Sequence, residues 1–201
     1  MAKDKAQSLL ASAGRERNRL RRHLLVAAAL REILSSEPVV VGGTAEEFWT
    51  ADEYHETDLD ICVSLRESGE RELRAAGFRP DGRHWVREDI AVAVEFPDSK
   101  IDGDPDRTIL TPVGTGAARI IGVDDLYIDR LMQATMREDV EGIEFHSALA
   151  VAAACFEQID WVYVRKRITS KQESEPAVGV AMRKLDSTIR RRVRRLEEGE
   201  A

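Results

Sequence analysis

The sequence predicts an α/β protein with a small mixed β-sheet, flanking helices and a helical C-terminal portion. Three observations predict it: helical spacing opens the chain, short strand-like runs fill its middle, and helical patterns continue from residue 124 onward. Strands and helices grouped in separate stretches are typical of α+β architecture. We therefore divide the chain into an N-terminal basic helix (1–36), an α/β core (37–123) and a helical portion with a basic tail (124–201).

The composition excludes several classes of protein. With 43% hydrophobic and 33% charged residues in 201, the chain has an ordinary globular composition. Its apolar stretches are far shorter than the roughly 20 residues of a membrane-spanning helix. The N-terminus has no apolar signal core, so we expect a cytoplasmic protein. Cys62 and Cys155 lie in apolar stretches, which favours buried thiols over a disulfide or a zinc site.

Charge is distributed unevenly along the chain, whose net charge is −7. Residues 1–36 carry +5, residues 37–164 carry −17 and residues 165–201 carry +5. This pattern gives no single positive field for attracting nucleic acid. The densest basic run, within 190–195, fits an RNA acceptor, an acidic partner protein or a solvated helix face.

The first elements follow from apolar spacing and from turn residues. Residues 11–36 have helical spacing, and Pro38 marks the end of that helix. The three valines at 39–41 predict a short buried strand that ends at Gly42 and Gly43.

A capping box and an alternating run predict the next two elements. Thr44, as N-cap, and Glu47 form the capping box of a short helix. Residues 58–63 alternate like a strand, and residues 67–76 predict a surface helix ended by Gly77.

The remaining elements are predicted from the same signals. Residues 84–87 and 90–96 form a hairpin that turns at 88–89, and strands follow at 108–112 and 118–123. The C-terminal helices are predicted at 124–138, 143–157, 159–170 and 176–197.

Three features in this order carry chemical meaning. Asp58 and Asp60 point to one face of their strand, and two carboxylates so close repel each other unless a cation lies between them. Glu95, on a later strand, could complete a clamp for Mg²⁺. The turn at Gly42 and Gly43 offers backbone amides at a helix N-terminus, which favours phosphate groups. Taken singly, each feature is also explained by a turn or a solvated strand edge.

Three stretches carry a resemblance to a known family. Residues 39–45, 57–61 and 94–96 read VVVGGTA, TDLDI and VEF. They resemble the nucleotidyltransferase superfamily that shares the DNA polymerase β catalytic fold, and its small stand-alone members of abortive-infection and toxin–antitoxin systems in particular. The resemblance extends over about residues 36–165, through the segment 122–131 to an acid near Asp139.

The resemblance implies roles for individual residues. Asp58, Asp60 and Glu95 would hold Mg²⁺ or Mn²⁺, and Glu95 would also accept the proton of the acceptor hydroxyl. Gly42, Gly43 and Thr44 would line the triphosphate of an NTP. Arg130 would contact phosphate, unless it is a helix-surface arginine paired with acidic neighbours. The implied activity is transfer of a nucleoside monophosphate to an acceptor that is RNA, a protein or a small molecule, in a toxin–antitoxin or phage-defence setting.

Departures from the family pattern keep two other readings open. No Arg-Gly pair follows the glycines; instead Glu46 and Glu47 stand near the expected triphosphate. This favours a degenerate member that binds a nucleotide or a partner protein without turnover. The basic ends alternatively indicate a nucleic-acid-binding module. His84 and Trp85 could stack a base, although a tryptophan beside a strand more often packs in the core.

Overall fold

The computed structural model describes residues 2–51, 58–137 and 142–198 of the chain. They form two compact units, Met1–Ile121 and Gly122–Ala201, and the N-terminal helices lie in the same unit as the sheet. The mixed α/β fold class predicted from the sequence is confirmed.

The first unit contains helices and strands in alternation. The helices are α1 (Ala2–Ala13), α2 (Arg19–Ile33), α3 (Gly42–Thr50) and α4 (Glu67–Ala75). The strands are β1 (Val39–Val40), β2 (Asp58–Cys62), β3 (Arg79–Asp81), β4 (His84–Arg87), β5 (Val92–Glu95), β6 (Ile109–Val113) and β7 (Gly116–Ile120). Helix α1 packs against α2, which in turn packs against β7.

The seven strands in the described residues belong to one mixed sheet in the order β3-β4-β5-β2-β1-β7-β6. The pairs β2–β5 and β1–β7 are parallel, and the other pairs are antiparallel. Leu59, Ile61 and Val94 are fully buried, whereas Asp58 and Asp60 alternate with them along β2. Because successive side chains point to opposite faces of a strand, one face of this part of the sheet is core and the other carries the acids.

The single helix predicted over residues 11–36 is wrong. The structure has two helices there, because the chain turns after Ala13 and a new helix begins at Arg19. Asn18 caps that helix, since its side-chain oxygen accepts a hydrogen bond from the Arg21 amide at 2.7 Å.

The predicted capping box is also wrong. Helix α3 begins at Gly42, and its N-cap residue, Val41, makes no side-chain cap hydrogen bond. Thr44 is therefore inside the first turn, and its hydroxyl lies 3.0 Å from Nδ1 of the buried His23. The Thr44 hydroxyl, which a capping box would need, instead contacts His23 of α2.

Other local predictions in the first unit are confirmed. Helix α4 ends just before Gly77, whose φ of +89° is the left-handed conformation that favours glycine. Strands β4 and β5 form the expected hairpin, with a 3₁₀ turn at Glu88–Ile90, and β6 and β7 lie within three residues of their predicted bounds. Cys62 is a buried free thiol.

The second unit is helical, as predicted. It contains α5 (Val123–Met136), α6 (Ile143–Ala154), α7 (Trp161–Ser174) and α8 (Pro176–Glu197). Cys155 is a buried free thiol in this unit, and burial raises its pKa. Among the described helices of both units, none combines the length and the apolar character needed to cross a membrane.

The second unit has polar pairs in its core, which give a first prediction. The Tyr127 hydroxyl donates to Asp186 Oδ1 at 2.9 Å, and both residues are buried. Tyr127→Phe should lower the free energy of unfolding by about 1–2 kcal/mol, because a buried carboxylate loses its donor. Urea denaturation measures the change.

Tyr163→Phe is the matched control for that variant. The Tyr163 hydroxyl donates to Asp125 Oδ1 at 2.8 Å, but Asp125 keeps the Arg167 guanidinium at 2.8 Å. In contrast, Asp186 in Tyr127→Phe keeps an ion pair with Arg190, whose Nη1 lies 3.9 Å from Asp186 Oδ2. Equal losses of unfolding free energy in Tyr127→Phe and Tyr163→Phe would contradict the proposed importance of the Tyr127 hydroxyl.

Candidate functional site

Strand register brings the predicted acids together. In the parallel pair of β2 and β5, Asp58 lies opposite Ala93 and Asp60 lies opposite Glu95. In the antiparallel pair of β4 and β5, His84 lies opposite Glu95. Residues directly opposite each other point to the same face of a sheet, so all three acids and His84 share one face.

Asp58, His84 and Glu95 form a compact cluster on that face. His84 Nε2 is 3.1 Å from Asp58 Oδ2 and 3.6 Å from Glu95 Oε2. One donor atom from each residue lies within 4.8 Å of the others. The side chains are 17–27% exposed, so the cluster is partly shielded yet open to a ligand. Two carboxylate oxygens and an imidazole nitrogen are suitable ligands for a divalent metal ion.

Arg83 reaches the same cluster from the solvent side. Its Nε lies 3.2 Å from Glu95 Oε2, and its side chain is 71% exposed. Such an exposed ion pair contributes little stability, so a ligand could displace Arg83 at low cost.

Asp60 approaches the start of α3 instead of joining the cluster. Its backbone oxygen accepts a hydrogen bond from the Val41 amide at 3.0 Å. A Cβ built on Gly42 would lie 2.0 Å from Asp60 Oδ2, and Gly42 has a φ of +60°. Glycine is thus required at position 42 for its conformation and for the close approach of the carboxylate.

The first turn of α3 offers backbone amides beside Asp60. The first helical hydrogen bond of α3 runs from the Ala45 amide to the Val41 oxygen at 3.3 Å, so Gly42, Gly43 and Thr44 precede it. The side chain of Thr44 is buried, and its hydroxyl also lies 3.5 Å from the Asp58 carbonyl oxygen. Because Gly43 and Thr44 are buried and Gly42 is half-buried, the backbone at Gly42 is the part of this turn most open to a phosphate group.

The two glutamates that follow this turn lie inside the protein. Glu46 and Glu47 are 3% and 9% exposed. Glu47 Oε2 makes an ion pair with Arg19 Nη2 at 3.0 Å. The negative charge of Glu47 is therefore compensated by Arg19 of α2, and the Glu47 side chain does not face a ligand at the start of α3.

His23 is a neutral residue of the core beside this turn. Burial, together with the positive charges of Arg19 and Arg22, lowers its pKa to about 4. The neutral imidazole and the Thr44 hydroxyl connect α2 to the first turn of α3. Nothing in the sequence distinguished His23 from any other helix residue, because its role depends on the packing of α2 against α3.

Arg130 lies in α5 of the second unit. It is 5% exposed, and its Nη1 donates to Gln133 Oε1 at 3.1 Å. Arg130 is therefore not at the helix surface, whereas its pairing with acidic neighbours and its contact with phosphate both stay predictions. Thr57 and Asp139, which belong to the stretches that carry the family resemblance, lie outside the described residues.

His84 is the cluster member that sequence reasoning missed. The sequence left base stacking open for His84 and Trp85 but favoured core packing for the tryptophan. Trp85 is 8% exposed, and the Arg74 guanidinium lies 5.1 Å from its ring centre. Trp85 therefore packs in the core, while His84 points to the acids. Hairpin alternation does place His84 and Trp85 on opposite faces, yet the register against Glu95 was needed to find the cluster.

By fold and site, the molecule is a mixed-sheet α/β protein with a carboxylate–histidine cluster beside a glycine-initiated helix. No family model, curated protein or solved structure matches the chain. Its function is consequently inferred from the geometry of the site.

Proposed function

We propose that this chain is a metal-dependent nucleotidyltransferase, which transfers a nucleoside monophosphate from an NTP to an acceptor hydroxyl. One observation carries the proposal: the acids of β2 and β5 share a sheet face with His84, and the start of α3 directly abuts Asp60. A site for an NTP needs groups that bind metal and groups that bind phosphate side by side, and this arrangement supplies both.

The residues present fit a divalent metal ion. Asp58 and Glu95 would hold it within the three-residue cluster, and Asp60 lies on the same face beside Gly42. When bound, the metal supplies neutralisation of the charge on the phosphate groups. The amides of the first turn of α3 would bind the triphosphate, helped by the positive end of the helix dipole.

The chemistry is a displacement at the α-phosphorus. The acceptor oxygen forms a bond to that phosphorus, the bond to the bridging oxygen breaks, and pyrophosphate leaves. Glu95 would accept the proton that the acceptor hydroxyl releases. The chain's own contribution is largely the positioning of the reactants and the favourable field at the helix N-terminus.

Calorimetric binding of each NTP, with Mg²⁺ or Mn²⁺, tests the proposal. We expect metal-dependent binding by the wild type and a loss of at least about 100-fold in Asp58→Asn/Asp60→Asn, because both carboxylates become neutral. Asp102→Asn/Asp106→Asn is the matched control, since it removes the same charge at two exposed positions outside the strands that carry the cluster. This control should bind like the wild type.

Pyrophosphate release distinguishes turnover from binding. Release that depends on an added hydroxyl acceptor and on Asp58 would support the transferase. NTP binding without release from any acceptor, whether RNA, protein or small molecule, would favour the non-catalytic nucleotide binder. Absence of NTP binding by the folded wild type would overturn the proposal.

A further inference from the structure

The geometry points to His84 as a direct metal ligand, so that the site is a mixed carboxylate–imidazole centre that prefers a divalent transition-metal ion to Mg²⁺. This inference rests on the proposed function, because the metal is the one that the transferase would use. It departs from the all-carboxylate set of Asp58, Asp60 and Glu95 that the sequence indicated.

The position of His84 is set by the sheet. Its strand pairs with β5 along four residues, and this register places His84 directly opposite Glu95. Its Nε2 lies 3.1 Å from Asp58 Oδ2 and 3.6 Å from Glu95 Oε2. The imidazole nitrogen is therefore aimed at the place where the two carboxylates converge.

The spacing of the three donors is close to that of a first coordination sphere. Donors about 2.1 Å from an ion are separated by about 3 Å when adjacent and about 4 Å when opposite. The donor atoms of Asp58, His84 and Glu95 lie within 4.8 Å of one another before any ion has drawn them together. Rotations of these side chains that bring the donor atoms somewhat closer would close the set around one ion.

The placement of Asp60 makes His84 the better third ligand. Asp60 Oδ2 lies in the space that a Cβ on Gly42 would occupy, so this oxygen is packed against the start of α3. The compact donor set in the described part of the chain is Asp58, His84 and Glu95. A shift of Asp60 into that set would give up its contact with Gly42.

Donor chemistry then determines the choice of metal. Mg²⁺ takes oxygen ligands almost exclusively, whereas imidazole binds first-row transition ions well. Affinity for a nitrogen-containing site rises from Mn²⁺ towards Cu²⁺. Because Mn²⁺ also binds all-oxygen sites, the nitrogen donor is reported by the ¹⁴N coupling and by the part of the preference over Mg²⁺ that depends on His84.

Electron paramagnetic resonance with Mn²⁺ alone tests the inference on the full chain. Titration should show Mn²⁺ bound at least about tenfold more tightly than Mg²⁺, which is measured by competition. Pulsed spectra should show hyperfine coupling to one ¹⁴N nucleus. In His84→Gln the coupling should vanish and the preference should fall towards parity. His146→Gln, which changes an exposed histidine of the second unit, should keep both the ¹⁴N coupling and the preference for Mn²⁺.

The outcomes separate this inference from the proposed function. Mn²⁺ binding that depends on Asp58 but lacks ¹⁴N coupling, or equal affinity for Mg²⁺, would overturn the role of His84 and leave the transferase standing. Coupling that survives in His84→Gln would overturn it as well. Coupling lost in His84→Gln without any NTP binding would support the metal site and overturn the transferase.

Discussion

The Gly42→Ala protein is expected to lose about 3 kcal/mol of unfolding free energy together with its metal-dependent NTP binding. Two costs add: a left-handed conformation disfavours alanine by about 1–2 kcal/mol, and overpacking costs about 1–3 kcal/mol. Position 42 has a φ of +60°, and the new Cβ would lie 2.0 Å from Asp60 Oδ2. Either the Asp60 carboxylate or the first turn of α3 must move, and both belong to the proposed site.

Gly82→Ala is the matched control for this variant. Gly82 has a φ of +59°, almost that of Gly42, but a Cβ there would meet nothing within 4 Å. Gly82→Ala should therefore lose only the conformational cost of about 1–2 kcal/mol in unfolding free energy. The difference between the two variants isolates the clash with Asp60.

Urea denaturation and calorimetry together decide the outcome. A Gly42→Ala protein as stable as Gly82→Ala would mean that Asp60 moves aside freely. Full NTP binding by that protein would contradict the role of the contact between Asp60 and the start of α3.

The sequence predicted those parts of the sheet whose side chains alternate. Strands β2 and β5 were found because apolar residues alternate with Asp58, Asp60 and Glu95, and this alternation reflects a sheet with one core face. Strand β3 was missed because Arg79–Asp81 is exposed throughout and contains a proline. An edge strand without a core face leaves no hydrophobic pattern to detect.

The sequence predicted only those features of the candidate site that follow from residue patterns within single strands and turns. Asp58 and Asp60 were placed on one face of β2, and Glu95 was placed on a later strand; the register of β2 against β5 then brings Glu95 to the same face. Whether Asp60 or His84 completes the cluster depended on strand register and on the backbone conformation at Gly42. Neither can be derived from spacing along the chain, because both are set by residues distant in sequence.

Acid is expected to destabilise the first unit through His23. The pKa of this buried histidine is lowered from 6.5 to about 4, first by burial and then by the charges of Arg19 and Arg22. Between pH 6.5 and pH 4 the unfolded chain binds a proton at His23 that the folded chain does not bind. Stability therefore falls as the pH falls through this range, by about 3 kcal/mol in all from His23, and this contribution is constant above pH 7.

His23→Asn tests this assignment because asparagine does not titrate and can still hydrogen-bond Thr44. At pH 7 the variant should be less stable than the wild type, since a smaller side chain leaves a cavity. Its stability should fall less steeply between pH 7 and pH 4, by about 3 kcal/mol over that range. Other groups titrate in both proteins, so the difference between the two curves of unfolding free energy against pH reports His23.

Urea denaturation at each pH gives these curves. Parallel curves for the two proteins would show that the folded protein accepts a proton at His23. His146→Gln, which removes an exposed histidine, should keep the wild-type slope.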